Sequence, residues 1–152
     1  MAVIATLSNH WKYQLGKKLI DISIDTFKII LMNADFAFAK DAHATLADVI
    51  SSPSAELATG FGYTQQNKEL AGGSWAENDT DDKGIRTFDT ITWTASGGSI
   101  GPTGSAIIYD ASTEVASPFE SPAVVGCIDF GVDYTIPDGT SLQIQTPALS
   151  VA

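Results

Sequence analysis

The spacing of apolar residues near the start of the chain is that of a helix. Four of them recur at intervals of three or four positions, at Trp11, Leu15, Leu19 and Ile22. This spacing places them on one helix face, and the lysines of the segment lie off that face. Ser8 or Asn9 can accept a hydrogen bond from the first free N–H groups. The pattern therefore predicts a helix over residues 9–20, which Gly16 weakens by about 1 kcal/mol relative to alanine.

Two further elements are predicted before residue 55. Residues 26–32 are rich in β-branched and aromatic side chains and end at Asn33, which is typical of a largely buried strand. Residues 41–50 can form a short helix capped by Asp41. A loop rich in serine and proline over residues 51–54 is expected to end this helix.

After residue 56 the pattern changes to short apolar or alternating runs separated by turn residues. Strands are predicted over residues 87–94, 105–109, 124–130 and 141–145, and Gly131 closes the third of them. Residues 60–71 can form a hairpin, residues 78–84 an acidic loop, and the glycine-rich residues 97–104 a long flexible connection between strands.

The succession of elements predicts the fold class. Several short strands with turns between them favour an antiparallel β-sandwich or a barrel-like domain. The one or two short helices are confined to the N-terminal third of the chain. We predict a mainly β, single domain over residues 1–152, with a helix-containing part over 1–50 and a β-rich part over 56–146.

Charge excludes some classes of partner. The net charge is −10, and the sequence pI is near 4.3. Nucleic acids and anionic membranes repel such a chain, so neither is an expected partner. No signal peptide or membrane-spanning segment is expected. Residues 1–40 carry five lysines and three aspartates, whereas the remaining 112 residues carry three basic and fifteen acidic side chains. This asymmetry can orient a partner.

Residues with catalytic potential are few. His10 and His43 are the two histidines, and the serine in residues 97–101 lacks the strand–turn–helix context of a nucleophile. Cys127 lies in an apolar run and is expected to be a buried, inert thiol. No catalytic residue, cofactor or metal site is assigned, and the chain is predicted not to be an enzyme. Whether the acidic residues 77–82 bind Ca²⁺ stays open.

Partner contacts are expected at exposed aromatic, basic and glycine-rich positions. Trp93 alternates with threonines and is expected in the core, whereas Trp75 beside the acidic loop is a better contact. Glycine-rich backbone can pack closely against a neighbouring subunit. The predicted contact residues are Trp11, Lys12, Lys17, Lys18, Trp75, Gly98 and Pro102.

Several segments together resemble a family of small virion proteins of tailed bacteriophages. They are residues 25–33, 62–64, 91–96, 106–110 and 125–131, and the resemblance extends from about residue 4 to residue 146. The segments 107–110 (Ile-Ile-Tyr-Asp) and 128–131 (Ile-Asp-Phe-Gly) carry most of it. The resemblance implies a non-enzymatic part of the virion, with a head decoration or minor capsid protein as the first assignment and a tail or fibre component as the second.

The implied partners are the major capsid protein or other virion proteins, together with further copies of the chain in a homo-oligomer. The implied location is the virion, after synthesis in the bacterial cytoplasm. The alternative from another class is a carbohydrate-binding module that recognises host surface glycans through exposed Trp75 and Tyr63. An enzyme ranks third, and it requires a cleft in which His10 or His43 meets a carboxylate and a nucleophile.

Overall fold

The computed structural model describes residues 4–51, 55–112 and 122–151. The described chain contains two helices and ten strands. In chain order these are β1 (Ile4–Leu7), α1 (Asn9–Gly16), β2 (Phe27–Asn33), α2 (Leu46–Ile50), β3 (Lys68–Leu70), β4 (Trp75–Asn78), β5 (Lys83–Thr87), β6 (Ile91–Thr94), β7 (Ile100–Asp110), β8 (Val124–Ile136), β9 (Ser141–Ile144) and β10 (Ala148–Val151). The predicted class is confirmed: the protein is mainly β, and both helices lie in the N-terminal third.

All strand pairs in the three sheets are antiparallel. The largest sheet has the order β1-β8-β7-β2-β3, a second has the order β10-β5-β4, and β6 pairs with β9. Strands β7 and β8 are the longest, and with β2 they form the centre of the five-stranded sheet. The result is a β-sandwich-like domain.

The five-stranded sheet is buried on both faces, which explains the continuous apolar run of β2. Side chains alternate between the two faces of a strand. Ile29 and Leu31 belong to the larger apolar cluster, whereas Ile30 and Met32 belong to a second cluster. All four are at most 1% exposed. A strand covered on both sides needs apolar residues at successive positions and not at every second one.

The two clusters are covered by different elements. The larger one includes Trp93 of β6, Leu149 of β10 and Trp11 of α1. The second one includes Leu46 and Val49 of α2. Both the helix-containing part and the β-rich part of the chain therefore contribute side chains to the same cores, and Trp93 is in the core as predicted.

Both helices are shorter than predicted. Helix α1 ends at Gly16 because Lys18 adopts a left-handed backbone conformation, with φ of 60°. Leu19 consequently leaves the buried stripe and is 45% exposed. Helix α2 begins after Thr45 and not near Asp41. The Thr45 main-chain N–H and hydroxyl both donate to the Asp48 carboxylate, at 2.8 and 2.9 Å.

Three predictions for the β-rich part are wrong. Residues 60–71 do not form a hairpin, because β3 pairs with β2 and residues 60–63 form a turn of their own. The glycine-rich residues 97–104 are not a flexible connection throughout, since β7 already begins at Ile100. Strand β8 continues past Gly131 to Ile136, and Gly131 has φ of 74° within it.

The remaining differences between the predicted and the observed elements lie in segments that lack a clear apolar pattern. The acidic loop is the turn of the β4–β5 hairpin, and residues 87–94 are divided between the end of β5 and β6. Strands β1, β4 and β10 were not predicted, nor was the part of β5 before Thr87. The loop predicted over residues 51–54 lies mostly outside the described residues.

Candidate functional site

A basic and aromatic surface lies on α1 and the turn that follows it. It consists of Lys12, Tyr13, Lys17, Lys18 and Leu19, all of them exposed, and we call it the α1 surface. The Lys17 Nζ lies 5.2 Å from the centroid of the Tyr13 ring, within the range of a cation–π contact. Lys17 and Lys18 follow the C terminus of α1, where the helix dipole favours positive charge.

The positive charge of this surface is not neutralised within the described part of the chain. The ion pair found among the described residues joins Lys83 Nζ to Asp81 Oδ2 at 3.3 Å, in the β4–β5 hairpin and not on the α1 surface. Lys12, Lys17 and Lys18 make no ion pair with residues 4–51, 55–112 or 122–151. Their charge is therefore available to a partner, and contact with a partner stays a prediction for these three residues.

The prediction that Trp11 contacts a partner is wrong. Its side chain belongs to the larger apolar cluster and is 1% exposed. The helical spacing that places Trp11 in the apolar stripe of α1 also turns it toward the core, whereas Lys12 and Tyr13 point outward. Trp11 thus anchors the helix beneath the α1 surface.

The two histidines have packing contacts in the structure. The His10 Nε2 lies 2.9 Å from the Gln14 Nε2, and burial, partly offset by the charge of Asp48, lowers the pKa of His10 below its ordinary value. The His43 Nδ1 accepts a hydrogen bond from the Ala39 N–H at 3.1 Å. The His43 ring also stacks against Phe36, with 5.3 Å between ring centroids.

Trp75 lies on the exposed β4–β5 hairpin, beside the acidic turn. It is 40% exposed, and its ring lies across Gly84 of the neighbouring strand, where an added Cβ would come within 2.3 Å of the indole. The ring therefore covers backbone that has no side chain of its own. Trp75 is exposed as expected, whereas its contact with a partner stays a prediction. The contact with Gly84 also gives Trp75 a structural role.

The acidic turn is ordered by its own polar groups. The Asn78 side-chain oxygen accepts hydrogen bonds from the main-chain N–H groups of Thr80 and Asp81, at 3.1 and 3.0 Å. Within the described ranges, no group of three or more His, Cys, Asp or Glu side chains is placed to hold a metal ion. Calcium binding at residues 77–82 therefore has no support from this geometry.

Gly98 and Pro102 lie in the segment that leads into β7. Gly98 is half-buried under the ring of Phe61, where an added Cβ would come within 2.4 Å of that ring. The Gly98 backbone therefore packs closely against Phe61 of its own chain, whereas close packing against a neighbouring subunit was expected. Pro102 is exposed, after a cis peptide bond with Gly101. Phe61 itself is 55% exposed, and it was not among the predicted contact residues.

A buried polar network that the sequence pattern did not indicate fixes the 56–66 segment against β2. The Tyr63 hydroxyl accepts a hydrogen bond from the Leu31 N–H at 3.0 Å and donates to the Glu56 Oε1 at 2.9 Å. The Gln66 main-chain N–H also donates to that oxygen, at 2.9 Å. Burial raises the pKa of Glu56, while these hydrogen bonds partly offset the rise. A lone glutamate between Ala55 and Leu57 was the one signal in the sequence.

Tyr63 does not belong to an exposed aromatic face. It is 2% exposed, and therefore cannot combine with Trp75 in the glycan site that the carbohydrate-binding alternative requires. That part of the alternative is wrong, because the Tyr63 hydroxyl is taken up by the network with Glu56.

Cys127 is buried, as predicted. Its side chain belongs to the second apolar cluster, and burial raises the pKa of the thiol to about 12. The thiol is consequently protonated at neutral pH and is a poor nucleophile.

No match to the chain is found among protein-family models, curated proteins or solved structures. In the part of the chain that the structure describes, no helix is long and apolar enough to span a membrane.

Proposed function

We propose that the chain is a non-enzymatic structural component of a bacteriophage virion, specifically a head decoration or minor capsid protein that binds and stabilises the assembled shell. The observation that carries the proposal is the α1 surface, which presents unneutralised lysines and an exposed tyrosine on a chain with a net charge of −10. Such a surface suits an acidic protein neighbour, because opposite charge favours encounter and orientation.

The resemblance to phage virion proteins supports the same proposal from a different direction. Its segments lie largely in β2, β6, β7 and β8, which form much of the core. These segments support a common scaffold. The α1 surface lies outside them and supplies the contact that the scaffold presents.

The mechanism that we propose is stabilisation by preferential binding. A protein that binds the assembled shell better than its free subunits shifts the equilibrium toward the shell. A repeated site on a shell is matched by repeated copies of the binding chain, which favours a symmetric homo-oligomer. The lysines of the α1 surface face the shell in this arrangement, and the acidic turn of the β4–β5 hairpin faces solvent.

The primary test uses particles of the phage or prophage that encodes the chain. We expect the chain to sediment with purified particles in many copies and to raise the temperature at which heated particles release their DNA. Particles that contain none of the chain would overturn the proposal. Antibody labelling in the electron microscope separates head from tail or fibre, and label on the tail would replace the first assignment by the second.

A charge-reversal pair tests the α1 surface. Lys12→Glu places a negative charge on this surface, and Lys83→Glu makes the same change on the β4–β5 hairpin. We expect Lys12→Glu to weaken incorporation into particles that lack the chain, and Lys83→Glu to leave it near the wild-type level. Equal incorporation of both variants would reject the orientation proposed for α1.

Glycan binding is the remaining competitor, since Trp75 is exposed. It requires saturable binding of host surface glycans that is lost in Trp75→Ala. A glycan array that shows such binding, together with absence from particles, would favour that function over the one proposed.

A further inference from the structure

The outer edge of β1 carries main-chain groups that pair with no other described strand. Ser8 N–H donates to the Val125 carbonyl at 2.9 Å, and the register places Thr6 opposite Cys127 and Ile4 opposite Asp129. Hydrogen-bonding direction alternates along an antiparallel strand. The N–H and C=O groups of Ala5 and Leu7 therefore point away from β8, and within the described residues no other strand pairs with β1.

This edge lacks the charged residues found on the edge strands β3 and β4. Residues 4–7 include no charged residue and no proline, and their pairing with β8 has no bulge. At the opposite end of the same sheet, β3 carries Lys68 and Glu69, and the edge strand β4 carries Glu77. Natural proteins use charges, prolines and bulges to prevent pairing between edges. Their absence from β1 leaves it open to a further strand.

An apolar cleft lies along this edge. Its volume is about 390 Å³, and it separates β1 and β8 from the segment that leads into β10. The side chains that line it include Leu7, Ile128, Phe130, Ile144 and Leu149. Strand β10, which borders the cleft from the other sheet, is also an uncharged edge strand. Covering this apolar surface with a partner is favourable, because it removes apolar area from water.

We propose that a second copy of this chain covers the edge, with the two β1 strands paired antiparallel about a two-fold axis at Thr6. Ala5 then lies opposite Leu7 of the second copy, and the reverse pair forms as well. Each pair exchanges two main-chain hydrogen bonds, four in all. The two five-stranded sheets become one continuous sheet across the dimer.

The strand is suited to pairing with itself. A two-fold interface uses one surface twice, so the surface must complement itself. In this register no like charges lie opposite each other, because residues 4–8 are all uncharged. The side chains of Ala5 and Leu7 from the second copy fall on the cleft side of the sheet, where they extend the apolar interior. The inference rests on the proposed function in one respect, since it names an interface for the expected homo-oligomer.

A proline substitution tests the main-chain pairing. Ala5→Pro removes an N–H that points outward, and it leaves the hydrogen bonds between β1 and β8 in place. Light scattering after size-exclusion chromatography is expected to give twice the chain mass for wild type and for the control Ala5→Ser, and the monomer mass for Ala5→Pro. Far-UV circular dichroism and urea unfolding check that Ala5→Pro is folded.

A cysteine crosslink tests the register and does not depend on that variant. The two-fold axis makes Thr6 and Thr6 of the second copy a non-hydrogen-bonded pair, with Cα atoms about 4.5 Å apart, which a disulfide can bridge. Thr6→Cys is made in a Cys127→Ala background, because Cys127 lies opposite Thr6 within the chain. Oxidised glutathione accepts the two electrons as the two thiols lose their protons.

We expect a disulfide-linked dimer for Thr6→Cys and none for the exposed control Thr64→Cys in the same background. A wild-type chain that is monomeric over a hundredfold range of concentration would overturn the inference. So would a dimer that persists in Ala5→Pro and fails to crosslink at position 6. Either result leaves the particle experiments intact, since a monomer can still bind a shell, so the two proposals fail separately.

Discussion

Strand β2 is buried along almost its whole length, whereas strand β4 is exposed along almost all of its own. Ile30, Leu31 and Met32 have no measurable exposure, and the first three residues of β4 are all exposed. Both strands belong to antiparallel sheets of the same chain. They differ in their surroundings: β2 has a neighbour on each side and an apolar cluster on each face, whereas β4 pairs, among the described strands, with β5 alone.

The difference in burial between β2 and β4 separates residues that stabilise the fold from residues that are free to contact a partner. Substitutions in β2 act on two cores at once, so its residues are determined by packing. Substitutions in β4 act on one exposed hairpin, so its residues are available for solubility or recognition. The loss in free energy of unfolding caused by a substitution should therefore be largest at the centre of the five-stranded sheet and smallest in the β4–β5 hairpin.

The largest effect is expected for truncations in β2. Leu31→Ala and Ile30→Ala remove side chains on opposite faces of the strand, and each should lower the free energy of unfolding by about 2–5 kcal/mol. The measurement is urea unfolding followed by fluorescence. Ala76→Ser in β4 is the control, with an expected change below about 0.5 kcal/mol. A small loss for Ile30→Ala alone would contradict the burial of both faces.

The next effect concerns the hydroxyl that links β2 to the 56–66 segment. Tyr63→Phe leaves the Leu31 N–H without its partner and removes one donor from the Glu56 carboxylate. Leaving buried polar groups unpaired should destabilise the fold by about 1–3 kcal/mol. Tyr13→Phe, at an exposed tyrosine, should change the stability little. Equal stabilities of the two variants would show that the network contributes nothing.

A smaller, pH-dependent effect is expected from Glu56. Its pKa is raised in the folded state, so folding favours the protonated carboxyl. Its contribution to stability is thus fully present below the unfolded pKa and is lost as the pH rises through the folded pKa. The free energy of unfolding of wild type, relative to Glu56→Gln, should increase as the pH falls from neutral toward 4.5.

The control for this profile is Glu69→Gln, which removes an exposed carboxyl from β3. Urea unfolding of wild type, Glu56→Gln and Glu69→Gln over the same pH series gives the difference in free energy of unfolding between wild type and each variant. A Glu56→Gln difference that varies with pH no more than the Glu69→Gln difference would contradict the prediction.

The smallest effect is expected in the β4–β5 hairpin. Gly84→Ala forces the exposed Trp75 ring to move, since the new Cβ would lie within 2.3 Å of it. We expect a loss of about 0.5–1 kcal/mol in the wild-type background and almost none in Trp75→Ala, which is a coupling between contacting residues. A double-mutant cycle in urea measures it. The same loss in both backgrounds would place its origin in the backbone of β5 and not in the indole.

Much of the core could be predicted from local pattern. The apolar run of β2 and the alternation around Trp93 and in β9 each record a burial pattern that lies within one segment. The helical spacing of α1 correctly placed Trp11 and Leu15 on the face against the core, although Leu19 is exposed, Gln14 is also buried, and Trp11 was misassigned as a contact. The lysines of the α1 surface were identified because their spacing leaves them off that face.

Two of the strands that were missed depend on distant partners. Strands β1 and β10 are four residues each, and their identity as strands comes from pairing with residues 126–129 and 84–87. Tyr63 and Trp75 are both aromatic residues in polar surroundings, and the sequence does not distinguish them. The partners of Tyr63 are Leu31 and Glu56, of which Leu31 lies 32 positions away along the chain.

The sequence by itself determined that this chain is mainly β, that its charge is divided between a basic first segment and an acidic remainder, and that Cys127 and the run of β2 are buried. The tertiary structure alone decided the order of the strands, the burial of Tyr63, the contact of Trp75 with Gly84 and the open edge of β1. Alternation along a strand records which face is covered. Which strand lies beside it, and whether an edge is left unpaired, depends on residues far away in the chain, and local spacing carries no record of them.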